Sequence, residues 1–446
     1  KEEGNDPMNE KKEQALFEYD AKLSISEAIP MGLQHVVAAV VGIVTPGIMI
    51  AKVCQLSPSD TTILIQTSLI FSAVATLIQL FPIFGKVGSR LPVMMGASFA
   101  YVPILMAIGA DFGIAAIFGS QLVGSILVII VGLFIKKIRV LFPPLVTGTV
   151  ILSIGLSLFP VAIKYMAGGA GSADFGSARN WLVALLTFAI VFYFNYFAKG
   201  FLKLSAILNG MVIGYLISLA LGMVSFEPVQ NAKIVQVITP FHFGLDFQLV
   251  PIFTLVVMFI VDAVQAIGQF TATTVGAMDR DATDEELSGG IMGSGFTNFI
   301  GSLFGSIPVA TFGQNVGLVT VTKVINKYVL VFASVILLIA GFVPKVAALL
   351  TTIPYAVIGG ATISVFASIS MTGIRMIASQ EMTPRNTGVV GTALAFGIGV
   401  TLSTGSLAGF PTWVTTIFGN SEVILTTLVA VLLNVILKPK KRVALE

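Results

Sequence analysis

The 446-residue chain is 56% apolar and only 11% charged, with a mean hydropathy of +0.96, which lies outside the range of soluble globular proteins and calls for solvation mostly by lipid. Its net charge of +3, dispersed along the chain, is too small for a nucleic-acid surface, and the single Cys54 excludes an intrachain disulfide. There is no CxxC, HExxH or Walker-type loop, and the two histidines, His35 and His242, are too few for a metal cage, so neither a metal nor a cofactor is expected.

Residues 1–22 are charged and the first apolar run begins near Ile25, so no cleavable signal peptide is read and the tail 1–24 is expected in the cytoplasm. Crossing about 30 Å of hydrocarbon takes roughly 20 residues. Segments of that kind fall near 27–51, 61–83, 112–135, 140–163, 180–198, 203–224, 248–277, 286–306, 328–344, 346–372, 387–406 and 421–437. Two further apolar pieces, about 92–109 and 308–326, are too short or too interrupted to span as simple helices. The expected fold is therefore all-α and polytopic, with fourteen membrane segments, two of them discontinuous.

The two short pieces share a plan. Each opens with Pro-Val (Pro92-Val93 and Pro308-Val309), passes through small residues to Gly96 or Gly313, and continues as a short apolar helix. They fall third in each group of seven, that is as segments 3 and 10. Interrupted segments at matching places in two halves point to a binding site near the bilayer midplane. Because seven is odd, the second half, 248–437, is expected upside down relative to the first, 25–224, with an extracytoplasmic linker at 225–247 and a basic cytoplasmic tail at 438–446. The half-helix N-termini would then oppose each other and turn their positive dipole ends to one ligand. With the N-terminus inside, the inner loops and C-terminus hold sixteen Lys and Arg and the outer loops five, leaving aside the N-terminal tail, which satisfies the positive-inside rule.

Polar groups inside spans are the informative exceptions. Gln34-His35 is the first such pair, and His35 is expected to steady neighbouring polar side chains. Ser98-Phe99-Ala100 sets an aromatic ring beside small residues, and Phe312 precedes Gly313 at the matching point; either ring could sandwich a planar ligand or simply pack. Asp262, Gln265 and Gln269, at spacings of three and four, share one helix face. That face looks into a cavity or bridges helices by hydrogen bonds worth about 1 kcal/mol each. Gly293-Ser294-Gly295 reads as close helix packing, and the acidic run from Asp279 to Glu286 as a solvated helix start. The densest signal is 308–323, where Gln314 and Asn315 sit among Pro308, Gly313 and Gly317; carboxamides and broken backbone survive at membrane depth only where protein or a polar cavity covers them.

That last segment, Gln-Asn-x-Gly-x-x-x-x-Thr-Lys, resembles the signature of the nucleobase/ascorbate transporter family. The likeness extends over nearly the whole chain, through GLQHV at 32–36, GASFA at 96–100 and LFPPLVTG at 141–148. Gln at the first signature position is similar to the purine branch, the bacterial xanthine/urate permeases. The resemblance implies 7+7 inverted repeats, with a substrate-holding core domain (25–139 and 248–344) and a gate domain (140–224 and 345–437) that also forms a homodimer. It implies a secondary active transporter, not an enzyme, importing xanthine or urate across the bacterial inner membrane by elevator-type movement. Carried over to this chain, Gln314 reads one edge of a purine dione, Phe99 stacks on it, backbone near Ala100 and Gly313 completes the contacts, and Asn315 steadies the site. Gln265 stands where the family usually has a substrate-binding glutamate, and Ser294 where many relatives have an aspartate. A buried carboxyl is the natural proton carrier of a symporter, so coupling would fall to Asp262 or His35, or the carrier would use sodium or no ion. An anion exchanger of the same architecture is the alternative, since opposed helix N-termini suit anions. A membrane enzyme would need more acids or metal ligands than Asp262, and a channel a repeated filter motif.

Overall fold

The computed structural model describes residues 15–138, 141–199, 202–203, 205–419 and 422–437. Helices follow one another as α1 (Ile25–Val53), α2 (Pro58–Leu80), α3 (Val102–Phe112), α4 (Ile114–Leu133), α5 (Ile135–Ile138), α6 (Pro144–Met166), α7 (Ala178–Phe197), α8 (Ala206–Ala220) and α9 (Glu227–Asn231). The second half adds α10 (Leu249–Met278), α11 (Asp284–Phe304), α12 (Gly313–Thr322), α13 (Lys327–Phe342), α14 (Pro344–Thr351), α15 (Tyr355–Ala378), α16 (Pro384–Leu402), α17 (Thr412–Gly419) and α18 (Glu422–Ile436). Seven of these among the described residues, α1, α2, α4, α6, α7, α10 and α15, are long and apolar enough to cross a membrane; α13 and α14, bent by 82° at a short break, make an eighth if taken as one span.

Several starts are written locally. Ser57 accepts from the Asp60 amide and Ser177 from that of Asn180, each followed by an apolar run. Thr283 and Glu286 form a reciprocal capping box, so the acidic run does open a helix, with Glu286 also bound to Arg280 at its surface.

The structure departs from the expected pattern in three places. The fold is not purely helical: the two interrupted pieces contain three-residue strands, β1 (Met95–Ala97) and β2 (Val309–Thr311), paired antiparallel with Met95 opposite Thr311 and Ala97 opposite Val309. Backbone that leaves the helix inside a bundle must find other partners, and each strand finds them in the other. The segment 346–372 is divided, because Pro344 and Pro354 bracket a separate α14 before α15 begins. At 203–224 and 421–437 the described helices, α8 and α18, are 15 residues each.

The chain divides into two compact units. One takes the chain up to Phe134 together with Ala162–Ser364; in it α4 packs on α11 and α10, α2 on α13, α1 on α2 and α13, and α7 on α8. The other takes Ile135–Val161 and the chain from Val365; its core gathers Leu145, Val146, Ile377, Val389, Val390, Ala393 and Ala430. There α6 and α15 approach backbone to backbone, since a Cβ on Gly373 would lie 2.5 Å from the Leu152 nitrogen.

Candidate functional site

The ribbon sets the geometry. Its strands run in opposite directions, so the single 3-10 turn Phe99–Tyr101 that leads into α3 leaves one end, and α12 leaves the other. The Phe312 amide donates to Met94 O at 2.8 Å and extends the ladder by one step. Ser98 and Phe312 are thus four residue steps apart along the ribbon, roughly 14 Å at about 3.4 Å per residue. Two side chains hold the strands to neighbouring helices. Thr76 Oγ1 of α2 accepts from the Met95 amide at 3.0 Å, and Asn298 of α11 clamps Val309, accepting from its N–H at 2.8 Å and donating to its carbonyl at 3.0 Å.

Helix α10 lies along both helix starts, packing against α3, α12 and β2. At one end the Asp262 carboxyl lies beside the Tyr101 hydroxyl, without the geometry of a hydrogen bond, and the Tyr101 ring rests on Phe259 with centroids 5.2 Å apart. At the other end the Gln269 amide nitrogen lies 3.5 Å from where a Gly313 Cβ would be. Seven residues of helix rise about 10 Å, so α10 covers most of the gap of roughly 14 Å left by the ribbon. Gln265 therefore occupies the stretch between the two helix starts.

The facing surfaces are open. On α12, Gly313, Gln314 and Gly317 are exposed, while Asn315, Val316, Leu318 and Val319 are buried. On α10, Gly268 is exposed between half-buried Gln265 and Gln269, and nothing lies within 4 Å of a Cβ built on Gly268 or Gly317. The two helix starts differ electrostatically. Ser98 Oγ accepts from the Ala100 amide at 3.2 Å and closes the first, whereas α12 has no side-chain cap and keeps its positive N-terminal end available. Acceptors are available as well. Gln265 Oε1 is buried with no hydrogen-bond partner, and so is Asn315 Oδ1.

Behind the open face, Asn315 ties three elements together. Its Nδ2 donates to His35 Nδ1 at 2.9 Å and to the His35 carbonyl at 3.1 Å, and meets Met94 Sδ at 3.1 Å. A carboxamide nitrogen only donates, so Nδ1 of His35 accepts and the ring proton sits on Nε2. His35, which is buried, thus holds Asn315 in register with α1.

The remaining sequence-expected residues are spread around this centre. Phe99 and Ala100 are buried at the first helix start. The Phe312 ring is buried in the step between β1 and α1: its edge would stand 2.8 Å from a Gly96 Cβ and 3.3 Å from a Gly42 Cβ, so only glycine admits it at Gly96. Ser294 donates to Gly290 O at 3.1 Å and belongs to a separate network in which Gln79 Nε2 reaches Gly290 O and Gln79 Oε1 accepts from the Ser89 amide, each at 2.8 Å. Sequence reasoning passed over Thr76, Met94, Tyr101 and Asn298, which border the site, and Gln79 in that separate network. Gln79 and Asn298 carried a signal, being carboxamides inside apolar runs; Thr76, Met94 and Tyr101 carried none.

Residues 26–405 match the profile described as Permease family. The chain is 35% identical over 413 residues to the xanthine permease of Bacillus subtilis, covering 92% of this chain and 93% of that protein. It is 35% identical over 427 residues to the uric acid permease PucJ of the same organism, with 93% and 94% covered, and 31% identical over 438 residues to the xanthine permease XanQ of Escherichia coli, with 95% and 93% covered. In fold it is similar to the transmembrane domain of a cyanobacterial bicarbonate transporter, BicA, at TM-score 0.60 and 16% identity, covering 92% of this chain and 97% of that one. It is also similar to the murine anion transporter Slc26a9 in its inward-facing state, at TM-score 0.63 and 13% identity, with 98% and 73% covered. These are integral membrane permeases, transporters and not enzymes. The Gln314 signature, the paired strands that present it and the match over most of its length place this chain in the nucleobase/ascorbate transporter family.

Proposed function

We propose that the chain is a secondary active transporter that imports an oxidised purine base, xanthine or urate, into a bacterial cell across the inner membrane. The observation that carries this reading is the unpartnered Gln265 Oε1, which accepts hydrogen bonds only, buried on the helix that packs against the uncapped α12. A purine dione or trione offers the complement: several N–H donors for amide oxygens, and carbonyl oxygens that suit the α12 N–H groups and the Gln314 amide. Leaving a buried acceptor unmade costs about 1–3 kcal/mol, and a ligand bearing N–H groups recovers that. The names of the relatives, xanthine and uric acid permeases, support the same substrate class.

In this reading Gln314 and Gln265 contact the base, the backbone N–H at Gly313 donates to one of its carbonyl oxygens, and Phe99 stacks on it at the first helix start. Gln269 borders the site, Asn315 and His35 hold it, and Phe312 packs behind it. Asp262 is the coupling group, binding a proton that travels with the base; sodium coupling or none is what its failure would mean. Ser294 supports the site through the Gln79 network. The interrupted segments are the paired half-helices of a fourteen-segment inverted repeat, with a core of 25–139 and 248–344 carried past a dimerising gate of 140–224 and 345–437. An anion exchanger has only fold likeness behind it.

The test is competition binding of xanthine, urate, guanine, hypoxanthine and uracil to purified protein, across pH and with and without sodium. Displacement of labelled xanthine by urate but not by uracil is expected. Equal displacement by uracil, or none by any purine, would overturn the assignment.

A further inference from the structure

One cavity in the first unit has no place in the reading above. It encloses about 180 Å3 and is lined by Val44 and Ile48 of α1, Leu208 and Met211 of α8, Leu350 of α14 and Ile353 just beyond it. Its lining is almost free of polar surface. Of the two polar residues on its wall, Tyr215 spends its hydroxyl on Thr352 Oγ1 at 2.7 Å, and Thr45 Oγ1 is buried without a partner. A water needs two to four polar partners to occupy a cavity, and cavities lined by aliphatic side chains stay dry and take apolar guests. Water is therefore a poor occupant.

The cavity is also not sealed. Three of its lining residues are exposed: Val212 and Leu216, 49% and 55% and one turn apart on α8, and Leu349 of α14, 43%. In an integral membrane protein this exposed apolar rim faces hydrocarbon, so the opening leads into the bilayer. We infer that this cavity is a binding site for one acyl chain of a bilayer phospholipid, which enters between α8 and α14 and packs against α1. The inference rests on the membrane placement of the chain and not on the purine assignment. The consequence is mechanical. Helix α1 also carries His35, the partner of Asn315, so the guest chain fills the space between the helix that steadies the candidate site and its neighbours α8 and α14.

The experiment uses full-length protein in liposomes containing a few per cent of phosphatidylcholine with a diazirine midway along one acyl chain. After irradiation and digestion, adducts are mapped by mass spectrometry. Adducts on Leu208, Met211 and Leu350 several-fold more frequent than on Leu182 and Leu185, which are exposed on α7, are expected. Val44→Phe and Leu208→Trp, made separately, should each lower the remaining cavity adducts at least about fivefold while α7 labelling stays unchanged. Cavity adducts no more frequent than those on α7 in the unaltered protein would overturn the inference, as would full cavity labelling in both filled variants. The unaltered protein decides the matter even if a variant fails to fold.

Discussion

Gln265 and Gln314 are both carboxamides, yet their surroundings predict different consequences of losing them. Gln314 is exposed at the first turn of α12, so Gln314→Ala should leave expression and melting temperature intact. It should weaken xanthine binding about two- to 150-fold, from one or two hydrogen bonds at about 0.5–1.5 kcal/mol each; unaltered affinity would remove it from the site. Gln265 already has an unsatisfied oxygen in the unliganded protein. Gln265→Leu removes a buried polar group that costs about 1–3 kcal/mol when unpaired, so the melting temperature should hold or rise while affinity falls. A lower melting temperature with intact affinity would show a structural role instead. Asp262, beside Tyr101, is tested by Asp262→Asn, which should flatten the pH dependence of uptake; an unchanged profile dismisses it as the coupling group.

At the scale of elements, the ribbon depends on side chains from other helices. Asn298→Leu leaves the Val309 N–H and carbonyl buried and unpaired, which should lower stability by about 2–4 kcal/mol and abolish binding even though Asn298 does not touch the ligand. Thermal melting in detergent beside a binding isotherm checks both; binding retained in a folded variant would show that β2 holds its place without the clamp. The two breaks themselves were legible, because Pro92, Gly96, Pro308 and Gly313 interrupt apolar runs too short to span. The strand pairing was not, since three residues carry no usable periodicity and the partners lie more than 200 positions apart. The same holds for Phe312: in sequence it is one of 33 phenylalanines, and only the glycines at 42 and 96 that receive its ring decide where it goes.

At the scale of the whole molecule, the charge asymmetry and a tether near the N-terminus make one connected prediction. The stretch from Leu16 to Ala21 is tied down by Asn326, whose Nδ2 reaches the carbonyls of Glu18 and Ala21, and by Tyr19, whose hydroxyl donates to Leu80 O at 3.0 Å. Asp20 bridges Lys327 and Arg90, and the Lys327 ammonium, with Arg90, holds its carboxyl below the usual aspartate range. Because the folded value is the lower one, the bridge is fully present above the ordinary value of about 3.9 and is lost as the pH falls through the folded value; between pH 5 and 8 it should not change. Trypsin cleavage after Lys22 should occur in inside-out but not right-side-out vesicles if this end faces the cytoplasm, and Asp20→Asn should speed it up to about fivefold, in line with an exposed bridge worth at most about 1 kcal/mol. The reverse sidedness would invert the topology. Composition and the 314–323 signature were enough for membrane class and family, because each is a property of residue types along a line. Which amide oxygens stay unpaired, which helix start stays uncapped and which side chains clamp the strands depend on distances between residues far apart in the chain, and those exist only once the helices have packed.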